Sequence, residues 1–214
     1  GGDSDSMSRL VSQLLTMTRL DWVAVEPDDR AELMTICKAV AGHLAPIAIK
    51  EGRSIEVTGT NSPVIIRGNA GALEQAVSNL VENAIRYSAR NTTVTIEYDD
   101  TPSIRVMDRG RGIEPHEKQV MFDRFHRADR RVGGAGLGLS IVRQTAVIHG
   151  GSVDVFDRSG GGSIFEIRFP KDILFHVYGI QPGETHETSD HTKQVDAGTP
   201  DEKKPSLKLV TGGE

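Results

Sequence analysis

Four short segments concentrate the residue types that can do chemistry in this chain. The first is Asn79-Leu80-Val81-Glu82-Asn83-Ala84-Ile85-Arg86-Tyr87-Ser88. Asn79, Asn83, Arg86 and Tyr87 recur at spacings of four, three and one, so in a helix they share one polar face opposite the apolar residues. Two amides, a guanidinium and an aromatic ring on one face suit a hydrated metal, a phosphate and a flat ligand. Asn oxygens are hard donors compatible with Mg²⁺, which keeps much of its water. The second segment is Asp108-Arg109-Gly110-Arg111-Gly112-Ile113. A strand that ends in Asp and runs into Gly-x-Gly lets a ligand approach the backbone closely, and its carboxylate can accept a hydrogen bond from a purine amino group.

The third is Phe122-Asp123-Arg124-Phe125-His126-Arg127-Ala128-Asp129-Arg130-Arg131. Residues 109–131 carry seven Lys or Arg against four acidic residues, a local +3 in a chain of net charge −5, and that excess suits an anionic ligand such as a triphosphate. The fourth is Gly134-Ala135-Gly136-Leu137-Gly138-Leu139-Ser140, opening a helix, where backbone N–H groups bind phosphate. It lacks the Gly-Lys-Ser/Thr of a P-loop. Its glycines are spaced two and two, unlike the dinucleotide fingerprint. Taken singly, each segment also fits a structural reading: a polar helix face, a glycine turn capped by Asp, a solvated charged face.

These segments need elements to position them. The spacing predicts a helix with the stripe Leu33, Ile36, Cys37, Val40 and Leu44, ending near Pro46. Short strands follow at 55–57 and 64–66, then a long helix from about Asn69 to Tyr87 with Leu73, Ala76, Val77, Leu80, Val81 and Ala84 buried. Val94, Ile96 and Tyr98 alternate as a strand, and Ile104 and Val106 form the next. Residues 109–135 show little pattern. A helix from about Leu137 to His149 and strands at 152–157 and 163–169, joined by Gly160-Gly161-Gly162, complete the unit. Strands and helices do not alternate strictly, so the expectation is an α+β two-layer sandwich with mixed pairing, not a doubly wound parallel sheet.

Three parts are expected. Residues 1–26 hold one amphipathic helix with Met7, Leu10, Val11, Leu14, Leu15 and Thr18 on its apolar face. Residues 29–170 hold the core. Residues 171–214 form a tail with five Lys and eight acidic residues, in which 172–178 can add one short packed element and the chain beyond about 181 is too polar to order. At 214 residues and 37% hydrophobic composition, the chain can bury one sizeable core. A net charge of −5 gives no footprint for nucleic acid. One cysteine excludes an internal disulfide framework and a multi-thiolate metal site. No run approaches the roughly 18 apolar residues of a membrane span. The opening Gly1-Gly2 and abrupt start point to a soluble piece of a longer protein.

In this order the four segments resemble the N, G1, F and G2 boxes of the catalytic, ATP-binding domain of bacterial sensor histidine kinases, over about residues 5–170. The resemblance implies a Bergerat-type ATP-binding fold preceded by the second helix of a dimerisation hairpin, with ATP and Mg²⁺ bound. It implies Asn83 as the metal ligand with Asn79 beside it. Arg86, where the family usually has Lys, would contact phosphate, and Tyr87 would flank the nucleotide. Asp108 would accept the adenine amino group, supported by Ser163 through a water. Gly110 and Gly112 would permit close approach, with Ile113 among the lining residues. Residues 109–135 would be a lid anchored by Phe122 and Phe125. Arg127, or less favourably Arg130 or Arg131, would reach the γ-phosphate. Gly134, Gly136 and Gly138, with Leu137 and Leu139, would hold the triphosphate.

Relatives of the same fold that hydrolyse ATP use a glutamate four residues before the metal-binding Asn. Here that position is Asn79, and an amide cannot act as a general base, which favours phosphotransfer. The implied partners are a histidine-bearing dimerisation domain, in a homodimer of the parent chain, and a response-regulator receiver domain. The parent is expected to be membrane-anchored, with this domain cytoplasmic. None of the seven histidines precedes the opening helix, where the phosphoacceptor would sit. The alternative is a module that binds ATP as a sensor or scaffold without transferring it.

Overall fold

The computed structural model describes residues 24–123, 137–175 and 206–207. The expected opening helix, most of the lid's second half and most of the tail lie outside the described residues. Strand β1 (Ala31–Glu32) leads into helix α1 (Leu33–Lys50), then β2 (Ser54–Thr58), β3 (Ile65–Ile66), helix α2 (Ala70–Tyr87), β4 (Thr93–Asp99) and β5 (Ser103–Met107). Helix α3 (Pro115–Val120), helix α4 (Gly138–Ile148), β6 (Ser152–Asp157) and β7 (Ser163–Arg168) follow. A 3-10 turn (Lys171–Ile173), β8 (Leu174–Phe175) and β9 (Ser206–Leu207) end the described chain.

The main sheet runs β6-β7-β5-β4-β2-β9, and a small one runs β1-β3-β8. β2 and β4 are parallel, whereas β4–β5, β5–β7 and β6–β7 are antiparallel. This is the mixed α+β sandwich that the element order predicts. The period-two pattern sets the inner face: Ile55, Val57, Val94, Ile96, Ile104, Val106, Phe165 and Ile167 are buried among the helices. The opposite face carries Glu97, Arg105 and Glu166 in one register row, with Arg105 donating to both carboxylates at 2.7 Å.

Helix α2 is amphipathic. Asn69 caps it by accepting from Ala72 N at 2.9 Å, an interaction worth about 1 kcal/mol. Leu73, Ala76, Val77, Leu80, Val81 and Ala84 pack into the core, as the spacing predicts, which leaves the Asn83, Arg86 and Tyr87 side chains less covered.

Helix α1 does not end at Pro46 but continues to Lys50. Proline removes the hydrogen bond to the carbonyl of residue 42, and both Gly42 and Pro46 are exposed, so that carbonyl faces water. This helix is long and apolar enough to cross a membrane by composition. Its Leu33, Ile36, Cys37, Val40, Ala41, Leu44 and Ala48 nevertheless form core. Burial pushes the Cys37 thiol up to about 12, so it stays protonated and packs as a small apolar group.

Two further differences have local causes. Within the segment expected to lack pattern, Pro115 starts the short helix α3 at a position where its missing N–H costs nothing. In the tail, Ser206 and Leu207 pair antiparallel with Thr58 and Val57 at the sheet edge, so at these two residues the chain departs from an unstructured tail.

Candidate nucleotide site

The site forms where three connections meet. Strand β5 ends at Met107 and delivers Asp108 to a buried position, 5% exposed. Its Oδ1 accepts from Gly110 N at 2.7 Å and Ser163 N at 3.2 Å. Burial pushes the carboxyl upward, while these N–H groups, the Arg158 charge and the Ser163 hydroxyl pull it back. A carboxylate has about four lone-pair positions, so two N–H groups on Oδ1 leave capacity for a ligand donor.

Helix α2 ends beside this loop. Ser88 and Gly110 form an isolated antiparallel bridge, and Ala89 N donates to Arg109 O at 3.2 Å. A Cβ on Gly110 would lie 2.6 Å from Tyr87 O, so only glycine allows this approach. Arg53 secures the corner by donating from Nη2 to Ser88 O at 2.6 Å. Asp108 therefore sits at the C-terminal end of the helix that carries Asn79, Asn83, Arg86 and Tyr87.

Asn79 marks the other end of the site. It is buried, and its Nδ2 has no hydrogen-bond partner among the described residues. Its Oδ1 would lie 3.3 Å from a Cβ on Gly138, the first residue of α4. The start of α4 therefore packs against Asn79. From Asn79 to Ser88 is about 13 Å of helix at 1.5 Å per residue. A ligand lying along α2 would meet the Asp108 carboxylate at one end and the N-terminus of α4 at the other.

The expected residues are placed unequally. Asn83 and Arg86 are half-buried and Tyr87 is exposed. Ser163 joins Asp108 through the backbone as well, accepting from Asp108 N at 2.9 Å. Gly112 adopts φ +78°, the left-handed region that favours glycine. Ile113 and Leu139 pack partly buried against the core. The Leu137 side chain is fully buried with Ala72 and Ile141, which leaves only its backbone to meet a ligand. Phe122 packs edge-on to Phe165, with ring centroids 6.4 Å apart. Phe125, Arg127, Arg130, Arg131, Gly134 and Gly136 lie outside the described residues.

Sequence reasoning missed the supports. Arg53, Arg109 and Arg158 reach backbone carbonyls around the Asp108 loop. Nothing in their local sequence marks such partners, apart from Arg158 preceding the glycine turn. His149 is a further link that no local sequence pattern marks. Its Nε2 accepts from Asn69 N at 3.0 Å, and its Nδ1 donates to Thr145 O at 2.7 Å. That joins the C-terminus of α4 to the N-cap of α2.

Residues 68–173 match the family described as "Histidine kinase-, DNA gyrase B-, and HSP90-like ATPase". The chain is 34% identical over 180 residues to the sensor-like histidine kinase SenX3 of Mycolicibacterium smegmatis, covering 79% of this chain and 46% of that relative. It is 32% identical over 172 residues to the sensor histidine kinase RppB of Synechocystis sp., covering 77% of this chain and 38% of RppB. The chain thus spans less than half the length of these relatives. Among solved structures, the mycobacterial sensor histidine kinase MprB superposes with a TM-score of 0.59 at 28% identity, over 66% of this chain and 96% of that one. Full-length ShkA in complex with AMPPNP superposes with a TM-score of 0.63 at 28% identity, over 75% and 35%.

Proposed function

Because residues 68–173 belong to this ATPase family and the chain carries the catalytic ATP-binding domain of a sensor histidine kinase, we propose that the protein transfers the γ-phosphoryl group of ATP to a histidine on a dimerisation domain. One observation supports this most: the buried Asp108 acceptor at one end of α2, and at the other Asn79, whose Oδ1 side packs against Gly138 while its Nδ2 has no partner among the described residues. That spacing suits a nucleotide with its base at Asp108 and its phosphates at the start of α4.

In this reading Asp108 accepts from the adenine amino group, Tyr87 flanks the nucleotide, and Gly110 and Gly112 let the backbone come close. Arg86 contacts phosphate, and Arg127 reaches the γ-phosphate, with Arg130 or Arg131 as its less favoured substitutes. Gly134, Gly136 and Gly138 hold the triphosphate. Mg²⁺, held by Asn83 with Asn79 beside it, would neutralise phosphate charge when bound. Asn79 fits a site for phosphate oxygens because its buried donor lacks a partner among the described residues, and amide oxygens such as that of Asn83 are the donors Mg²⁺ accepts. The chemistry is the attack of a neutral imidazole nitrogen on the γ-phosphorus, forming N–P as the bond to the ADP oxygen breaks. Positioning and electrostatics supply most of the rate. An amide at residue 79 cannot deprotonate water, so hydrolysis is slow.

The acceptor domain would belong to the parent chain as a homodimer, with a response-regulator receiver domain taking the phosphoryl group onward. The parent would be membrane-anchored, with this domain on the cytoplasmic side. The test is phosphotransfer in trans. With radiolabelled ATP, this chain alone should stay unlabelled and should label an added histidine-bearing dimerisation fragment with an acid-labile bond. ATP binding without any transfer would favour the sensor or scaffold reading. Rapid acid-labile labelling of this chain alone would place the acceptor among its own seven histidines.

A further inference from the structure

Asp108 is held at both of its ends, and the loop it opens after β5 is cross-tied to the β6–β7 turn. Arg109, directly after Asp108, reaches across to the β6–β7 turn and donates from Nη1 to Ser159 O at 2.7 Å and Gly161 O at 3.2 Å. Arg158, at the start of that turn, reaches back and donates from Nη1 to Asp108 O at 3.1 Å. The backbones close the ring: Asp108 N donates to Ser163 O at 2.9 Å, and Arg158 N donates to Gly162 O at 3.1 Å. Contact is close enough that a Cβ on Gly162 would sit 2.1 Å from Asp108 O.

We infer that Arg109 and Arg158 form a reciprocal clamp that fixes the position of the Asp108 carboxylate and so sets the preference for adenine. This rests on the reading of Asp108 as the base acceptor. Two like charges converge here, and burial together with Arg109 lowers the proton affinity of Arg158. Unfavourable convergence is retained because each guanidinium meets backbone carbonyls of the other connection, a geometry a planar fork of donors can satisfy. The Asp108 main chain is held by Arg158 and Ser163, and its Oδ1 by Gly110 and Ser163. These bonds leave the carboxylate little freedom to turn. Arg158 also supplies the positive charge that offsets the burial of the carboxylate. Both arginines act through Asp108, so they are positioning residues.

The test is calorimetric titration of the 214-residue chain with ATP and with GTP. The variants are Arg158→Ala, Arg158→Lys, Arg109→Ala, Asp108→Asn and the Arg158→Ala/Asp108→Asn double variant. Arg158→Ala should weaken ATP by about tenfold, the scale of one hydrogen bond to a charged group, and leave GTP unchanged. Arg158→Lys, which keeps a charged donor, should restore most of the preference. The loss should vanish in the Asp108→Asn background, since coupled residues are not additive. Arg158→Ala should also raise the pH at which ATP affinity fails in acid, because the charge favouring the ionised carboxylate is gone. Should Arg158→Ala not fold, Arg109→Ala probes the same ring from the other side. A lowered melting temperature with an unchanged ATP-to-GTP ratio in both alanine variants refutes the clamp. Failure of the unaltered chain to bind ATP refutes the reading of the site itself.

Discussion

Asp108→Asn isolates what the carboxylate does for the ligand from what it does for the fold. In the native chain Oδ1 accepts from Gly110 N at 2.7 Å and Ser163 N at 3.2 Å. Alanine would leave both N–H groups unpartnered at a buried position, at about 1–3 kcal/mol each, and would confound stability with binding. Asparagine keeps an oxygen for those donors and is nearly isosteric. What it removes is the charge and one acceptor, replacing the second oxygen by an NH₂ that cannot accept from an adenine amino group. A hydrogen bond to a charged group is worth about 1.5–3 kcal/mol, so ATP affinity should fall roughly 10- to 150-fold. Thermal unfolding should move little. Calorimetry with ATP and GTP measures the effect: the native chain should prefer ATP, and the variant should lose most of that preference. Equal affinities for ATP and GTP in the native chain, or an unchanged ATP affinity in the variant, would refute the reasoning.

Gly162→Ala should be strongly destabilising, by more than about 2 kcal/mol, because the residue sits at φ +99° and its new Cβ would fall 2.1 Å from Asp108 O; a denaturant midpoint like that of the native chain would contradict this. Asn83→Ala should remove the Mg²⁺ dependence of nucleotide affinity without unfolding the chain, and titrations with and without the metal read it directly. His149 is buried, and burial lowers its proton affinity. Its neutral form, donating at Nδ1 and accepting at Nε2, therefore contributes stability that is full above about pH 6.5 and is lost as pH falls through the unfolded and then the folded pKa. Urea unfolding between pH 7.5 and 5 should show this loss, at up to about 1.4 kcal/mol per pH unit. His149→Gln should be less stable at pH 7.5 and show a flatter slope, and parallel slopes would refute the assignment.

Much of the architecture follows from periodicity alone. The stripe from Leu73 to Ala84, the alternation in β4 and β5, and the glycine turn before Ser163 are local patterns, and local patterns fix which face of an element is apolar. Residue types at fixed spacing also mark Asn79, Asn83, Asp108 and Gly110 as candidates, since what they offer a ligand is carried by side chains or their absence. The sequence was misleading at Pro46, where a breaker is tolerated because the lost hydrogen bond faces solvent. It gave no sign of α3. Tertiary structure decided which carbonyl each arginine would meet. Arg53 finds Ser88, Arg109 finds Ser159 and Gly161, and Arg158 finds Asp108. These partners lie 35 to 52 residues apart in the chain. They are backbone atoms that every residue possesses, so no residue type announces them. The same holds for His149, whose ring closes on the N-terminus of a helix 80 residues earlier. Side-chain chemistry is written in the sequence, but the approach of two backbones exists only once the sheet has brought its connections together.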